Sequence, residues 1–225
     1  MSYHFKKGGI RLPEESTGDR DTQVASTKHF TGCGVFGDGP GVRTGLESHL
    51  EGNAVLLMVA RPDTLEVREQ VLFEWFDEFG EFHDHYIDFV VIRKDGKVIG
   101  YAVRPMERVS QRYLLKLSRI KQQAIERGFL DDFRLFSDDD VCPVELFNAK
   151  LFHSVRRPDP FGDPVAQGVV RGTVGVVTIE DLVARIGLDG MGFRAIIRLI
   201  RSGHLRMVHY ERITYRSMVF KAKEV

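Results

Sequence analysis

Two apolar runs on either side of Asp95-Gly96 constrain this chain more than anything else in it. The first is His85-Tyr-Ile-Asp-Phe-Val-Val-Ile-Arg-Lys94 and the second is Lys97-Val-Ile-Gly-Tyr-Ala-Val-Arg-Pro105. Strand-like runs joined by Asp-Gly predict a β-hairpin with a two-residue turn whose central residues both adopt positive φ. The first run is apolar on both faces, at Tyr86, Ile87, Phe89, Val90, Val91 and Ile92. A strand of that kind is central and covered by helices on each side. Asp88 breaks the pattern. A carboxylate buried there without a partner costs roughly several kcal/mol, so the position calls for a metal ion or a cation. A metal site is one solution, since perturbed buried carboxylates cluster at functional sites. A structural ion pair with Arg104, on the partner strand, is the other.

The sequence around the hairpin supplies the rest of a layered domain. Leu46, Leu50, Ala54, Leu57 and Met58 recur at three and four residues and predict an amphipathic helix from Leu46 to Ala60. Arg61 precedes Pro62 and ends it, because the residue before proline disfavours helical angles. Leu65 to Leu72 alternates as a strand. A long basic helix over 107–128 stops at Gly128, a strand follows at Phe133–Phe136, and a further helix covers about 143–155. The order helix, strand, hairpin, helix, strand, helix predicts an α/β fold over residues 46–157, a small mixed sheet flanked by helices.

Residues 1–45 are rich in Gly, Thr, Ser and Asp without a sustained period and read as an arm or extended loop. Gly32-Cys-Gly-Val-Phe-Gly37 matches a dinucleotide fingerprint in letters alone. Gly37-Asp-Gly-Pro-Gly41 follows it and cannot open the helix that motif needs.

Residues 158–172 read as a linker, since Arg157–Pro164 holds three of the eight prolines. Residues 173–225 form a second unit. Thr178 caps a helix running to Ile186, with acids in its first turn. A glycine turn leads to a second helix, Phe193 to Ser202, closed by Gly203. Strands at Leu205–Val208 and Tyr215–Phe220 complete a small winged helix-turn-helix signature.

Composition excludes several classes. The chain has 32 basic and 32 acidic residues, so a nucleic-acid partner must be met by a local patch. From Arg171 onward there are ten Lys or Arg against five Asp or Glu. Arg194, Arg198 and Arg201 fall on one stripe of the second helix, opposite Ile196, Ile197, Leu199 and Ile200. A recognition helix places such side chains in the major groove of double-stranded DNA, and Arg212 and Arg216 on the wing suit phosphates. A solvated face on a protein-binding winged helix is the alternative. Arg108, Arg112, Lys116, Arg119 and Lys121 of the basic helix track a DNA backbone or face solvent. Cys33 and Cys142 are too few for a disulfide framework and too far apart for a zinc motif. No run spans a bilayer and no signal-peptide core is present, which reads as a reducing, cytoplasmic setting without membrane contact.

Phosphodiester hydrolysis needs a divalent cation to activate water and to stabilise the leaving oxygen, and Mg2+ takes carboxylate oxygens and water. Glu47 and Glu51, four residues apart on the first helix, share a face with each other and are either acid ligands or a solvated surface. These residues resemble the TnsA endonuclease subunit of heteromeric transposases. Ser48-His-Leu-Glu51 is similar to that family's serine-x-leucine-glutamate helix, and Glu66-Val-Arg-Glu-Gln70 to its arginine-glutamate-glutamine strand. Ile87-Asp-Phe-Val90 with Lys94-Asp-Gly96 resembles its aspartate strand and turn. Ala102-Val-Arg-Pro105 stands where the family has glutamine or glutamate, valine, lysine and proline, and Phe136–Asp140 resembles the closing part of the domain. The likeness covers about residues 46–155.

The resemblance implies a restriction-endonuclease-like core with Mg2+ (or Mn2+) held by Glu51, Asp88 and the Val103 carbonyl. Arg104 becomes the catalytic cation, and the C-terminal winged helix docks DNA or a transposase partner subunit. Two positions depart from the pattern. Ala102 has no ligating side chain, and Arg104 keeps the charge of lysine but stays protonated and presents a planar fork. A working nuclease and a catalytically degenerate DNA-binding or assembly protein both follow from these changes. A plain transcription regulator leaves Asp88 without a role. His83, Asp84 and His85 either replace the missing ligand or form a polar turn.

Overall fold

The structure, a computed structural model, describes residues 12–22 and 31–222 of the 225-residue chain. Its larger sheet has four strands: β3 (Thr64–Phe76), β4 (Phe82–Arg93), β5 (Val98–Val103) and β6 (Asp132–Phe136), in that spatial order. β3, β4 and β5 are antiparallel, and β6 runs parallel to β5. The parallel step requires a crossover, and helix α2 (Gln111–Glu126) makes it. α2 buries Leu117, Ile120 and Ala124 against one face, with Phe73, Trp75, Ile87 and Phe133. Helices α1 (His49–Ala60) and α3 (Pro143–Ser154) cover the other, where Ala54, Val55 and Met58 meet Phe89, Val91 and Tyr101. The expected mixed sheet flanked by helices is present.

Local chemistry shifts several boundaries. α1 starts at His49 rather than Leu46, because Ser48 is its cap: Ser48 Oγ accepts from the Glu51 amide at 3.1 Å. Glu47 therefore lies outside the helix, and Leu46 belongs to strand β2 (Val42–Leu46). β2 pairs with β1 (Gly32–Phe36), so part of the expected arm is an ordered hairpin, and the glycine-rich letters of 32–37 sit on a strand. The Asp95-Gly96 hairpin also differs from expectation. Arg93 N–H donates to Lys97 O and Gly96 N–H to Arg93 O, a three-residue loop of Lys94, Asp95 and Gly96. Only Gly96 has positive φ, at 85°, as in a type I turn closed by a glycine bulge.

The second unit contains α4 (Gly162–Arg171), β7 (Val176–Thr178), α5 (Ile179–Ile186), α6 (Asp189–Arg201), β8 (Leu205–Met207) and β9 (Met218–Lys221). Its sheet is antiparallel in the order β7-β9-β8. The expected linker is a correction: residues 162–171 form α4, with Ala166 and Val170 buried in the second core. Its prolines are compatible with this, since Pro158 and Pro160 precede the helix and Pro164 lies in its first turn. The glycine turn is the first turn of α6. A Cβ on Gly192 would meet Ile186 Cγ2 at 3.1 Å, so glycine lets α5 and α6 approach.

The two units are joined by polar contacts to α3. Asn148 donates to Glu211 O and accepts from the Ile213 amide, both at 2.9 Å. Tyr210 Oη lies 2.9 Å from Cys142 Sγ, and the Arg212 guanidinium lies over the Phe147 ring. Among the described residues no helix is long and apolar enough to cross a membrane.

Candidate active site

Alternation along β3 and β4 reverses at one level of the sheet. Val67 packs on the α1 side, yet Val71, Phe73 and Trp75, of the same parity, pack on the α2 side. On β4, Phe89 and Val91 face α1 whereas Ile87 faces α2. A regular strand keeps one parity on one face. The exchange occurs at Gln70, whose φ is +47°, and at Asp88 opposite it; neither joins the ladder between the pairs Glu69–Phe89 and Val71–Ile87. Asp88 therefore sits at the seam between the two faces. β4 and β5 also part here, since their pairing ends at Phe89–Tyr101.

Asp88 is recessed, with part of its surface still meeting solvent. Val103 N–H donates to Oδ2 at 2.7 Å and Gln70 Nε2 to Oδ1 at 3.3 Å. Burial pushes its pKa up to about 7, and the charge of Glu51 adds to the rise against those hydrogen bonds and Arg20. The structural ion pair is absent: Asp88 forms no salt bridge among the described residues. Glu51 is 6% exposed and is raised by burial too. Its carboxylate accepts from Ser48 Oγ at 2.9 Å and from the Glu47 amide at 2.8 Å, a reciprocal arrangement at the α1 N-terminus. The acid of the first helix and the acid of the hairpin thus lie close enough to repel one another.

Three groups that the sequence reading left out complete the surroundings. Glu69 is 3% exposed; Ser16 Oγ donates to its Oε1, while Oε2, beside Gly45, finds no partner of good geometry among the described residues. Burial raises its pKa and Glu51 adds to that. Gln70, 1% exposed, accepts from Arg20 Nε at 2.6 Å through Oε1. Arg20 itself pairs with Glu47 at 2.7 Å and lies over the Tyr86 ring. A glutamate and a glutamine buried in a strand were a visible signal in the sequence. An arginine delivered from an aperiodic segment was not.

Arg104 points elsewhere. Its Nε donates to Arg108 O at 2.8 Å and its guanidinium stacks 4.3 Å from the Tyr113 ring centroid. Burial raises the Tyr113 pKa and the Asp88 charge adds to it, against the nearby Arg104. Ala102 is 1% exposed and packs in the α2-side core. Val103 contacts Asp88 through its amide. His83, Asp84 and His85 are strand residues rather than a turn. His85 is pushed down to about 4 by burial, with Lys116 adding to it, and lies edge-on to Phe133.

Glu51, Asp88 and Glu69 offer carboxylate oxygens of the kind a hard divalent cation takes, but their ligand atoms do not all come within 4.8 Å of one another. Two recessed acids without an ion pair and one orphaned carboxylate oxygen are the features that fit one. A different acidic–histidine cluster exists at the β3–β4 turn, where Asp77, Glu81 and His83 offer ligand atoms within 4.8 Å of one another. Asp77 there already accepts the Phe79 and Glu81 amides and pairs with His83, which holds the turn. That turn is roughly 20 Å from Asp88 along the strands, at about 3.4 Å per residue.

The arginine stripe of α6 is largely internal, a second correction. Arg198 donates to Asp163 at 2.6 and 2.8 Å and to Val155 O. Arg201 pairs with Asp38 at 2.7 Å and reaches Val59 O. Arg194, Arg212 and Arg216 remain exposed. No protein-family model matches the chain, and no curated protein matches it.

Proposed function

We propose that this chain is a divalent-cation-dependent DNA endonuclease subunit of the TnsA type, cutting at transposon ends with a transposase partner. The observation that carries the reading is Asp88: a recessed carboxylate without an ion pair, raised by burial and by a second acid on the first helix. A bound Mg2+ or Mn2+ would polarise the scissile phosphate and lower the pKa of an attacking water. Asp88 and Glu51 would hold the ion, with the Val103 carbonyl and Glu69 at the same level of the sheet. Val103 N–H fixes Asp88 Oδ2, Gln70 fixes Oδ1, and Ser48 with the Glu47 amide fixes Glu51. These bonds set the carboxylates before the substrate arrives, which is where preorganised electrostatics acts.

The mixed sheet agrees with a restriction-endonuclease-like core, and the element order of residues 162–221 supports a winged helix as its second unit. In that reading Arg194, Arg212 and Arg216 contact DNA phosphates, while Arg198 ties α6 to α4 and Arg201 reaches Asp38 and Val59 of the first unit.

A second reading, a catalytically degenerate DNA-binding or assembly protein, is favoured by Ala102 and by the Arg104 fork stacked on Tyr113. Nicking of supercoiled plasmid in Mn2+ separates the two, with and without an integrase-type transposase, taken from beside the gene where one is encoded there. The endonuclease reading expects nicking that Asp88→Asn abolishes. Wild-type protein inert with partner and Mn2+ both present leaves only the scaffold reading.

A further inference from the structure

We infer that Arg20, delivered by the N-terminal segment, is the side chain that takes a DNA phosphate beside the carboxylate pair, in the role the sequence assigns to Arg104. The inference deepens the endonuclease reading and rests on it for the identity of the ligand. Arg104 has its Nε on Arg108 O and its guanidinium face on Tyr113. Arg20 instead donates to Oε1 of Gln70, the residue whose side-chain amide nitrogen donates to Asp88 Oδ1. Its charge lowers the pKa of both Glu51 and Asp88, so it is the cation that both acids feel. Its side chain is 37% exposed, with Nε on Gln70 and Nη2 on Glu47, so a phosphate would meet it in exchange for the Glu47 pair. Arginine is suited to this because its planar donors match phosphate oxygens in pairs.

The segment that carries Arg20 is built into the site. Asp19 N–H donates to Gln70 O at 3.1 Å, and Asp19 Oδ2 accepts from the Leu72 amide at 2.7 Å. Thr17 Oγ1 accepts from the Glu69 amide at 3.3 Å, and Ser16 donates to the Glu69 carboxylate. Beyond Arg20, Thr22 is 5% exposed and lies against Gly45, where a Cβ would fall 1.7 Å from Thr22 Oγ1. Glycine at 45 is therefore what lets the segment seat. Gln70 and Glu47 then aim the guanidinium. A cleft of about 240 Å³ opens beside it, lined by Ser16, Arg20, Asp21, Thr22, Arg43 and Gly45, in which Arg43 pairs with Glu15 at 3.3 Å.

The test compares wild type with Arg20→Ala, Arg20→Lys and Glu47→Gln, each first checked for an unchanged melting temperature. Affinity for a short DNA duplex is titrated against salt in Ca2+, Mn2+ affinity is measured by electron paramagnetic resonance, and single-turnover nicking is followed in Mn2+. Losing one phosphate contact lowers the log–log salt slope by about one, so Arg20→Ala should show that drop. It should also nick about 100-fold more slowly while binding Mn2+ at least as tightly, since a competing positive charge is gone. Arg20→Lys should recover part of both losses. Glu47→Gln cuts the same ion pair but leaves the guanidinium, and should keep the wild-type slope.

If wild type never nicks but Arg20→Ala still loses the slope, the endonuclease reading fails and the phosphate contact stands. An unchanged slope in Arg20→Ala overturns the inference whatever the activity. So does faster nicking, which would make the segment a plug, and so does Glu47→Gln reproducing Arg20→Ala. Should Arg20→Ala melt early, the slope of Arg20→Lys decides, and a wild-type slope and rate there count against a paired contact.

Discussion

Gln70 and Asp88 face each other where β3 and β4 exchange the two sides of the sheet, and Gln70 Nε2 donates to Asp88 Oδ1 at 3.3 Å. The geometry explains how a carboxylate stands in a strand apolar on both faces. Neither residue has to point into a core, because each lies at the level where the alternation reverses. From that position the charge of Glu51 raises the pKa of Asp88, and the charge of Asp88 adds to the burial that raises Tyr113.

Asp88 should make the protein less stable as pH rises. Its folded pKa of about 7 stands above the ordinary 3.8, so the folded state holds the proton more tightly than the unfolded chain. Stability from the protonated form is complete below the unfolded pKa, falls through the interval between the two values, and is gone above the folded one. Asp88→Asn cannot ionise and keeps an acceptor for the Val103 amide. It should melt close to wild type near the lower end of that interval and several degrees higher above its upper end. The gain corresponds to roughly 2–4 kcal/mol. Melting curves across that range test it, and equal curves at both ends would remove the buried charge as an explanation. Added Mg2+ should raise the melting temperature of wild type at the alkaline end and not that of Asp88→Asn.

Substitutions at Gln70 should rank by backbone as well as by side chain. Gln70→Ala leaves Asp88 and Arg20 each one partner short, at a cost of about 1–3 kcal/mol, and retains a φ of +47° that a Cβ disfavours. Gln70→Gly loses the same bonds but recovers about 1 kcal/mol from relieved backbone strain. Chemical denaturation should therefore place the stabilities in the order wild type, Gly, Ala. An alanine variant more stable than the glycine variant would contradict the conformation.

Asn148 of α3 bridges to the 211–213 segment of the second unit. Its amide donates to Glu211 O and its carbonyl accepts from the Ile213 amide. Asn148→Ala leaves both backbone groups without partners and should cost about 1–3 kcal/mol. Its signature is local: hydrogen exchange should quicken across 208–217 and stay slow in β3–β6. Uniform quickening would show that the contact supports the whole fold instead.

What could be read from the sequence follows how local the cause is. The hairpin, the α1 stop at Arg61, the Thr178 cap and the Gly187 terminus are set by neighbours in the chain, and the structure has them. The loop at Lys94–Gly96 is not fixed by its letters, because Asp-Gly fits both a two-residue and a three-residue turn. The helix at 162–171 was missed because its prolines looked like linker chemistry, although two of them precede it. Asp88 stood out as a charge in an apolar strand, but the reversal that accommodates it depends on a positive φ at Gln70, for which glutamine gives no signal. Arg20 reaches the site from about 50 residues before its partner Gln70, a distance no periodicity crosses. Arg198 and Arg201 read as a free stripe because their partners Asp163 and Asp38 also lie far from them in the chain.

That last pair gives a test that separates fold from DNA contact on one helix. The side chains of Arg198 and Asp163 are 14% and 22% exposed and share a bond of 2.6 Å. Removing one partner of such a pair strands the other charge, and Arg198→Ala should cost about 3–5 kcal/mol. Arg194, one turn earlier, is exposed and joins no salt bridge among the described residues. Arg194→Ala should leave the melting temperature within about 0.5 kcal/mol of wild type. If the second unit binds DNA, it should weaken duplex affinity and lower the salt slope by about one. Swapping the charges, with Arg198→Asp and Asp163→Arg together, should restore part of the lost stability if the pair alone is responsible. A stable Arg198→Ala protein with weakened DNA binding would instead place that arginine on the surface, and the packing of α4 on α6 would have to be redrawn.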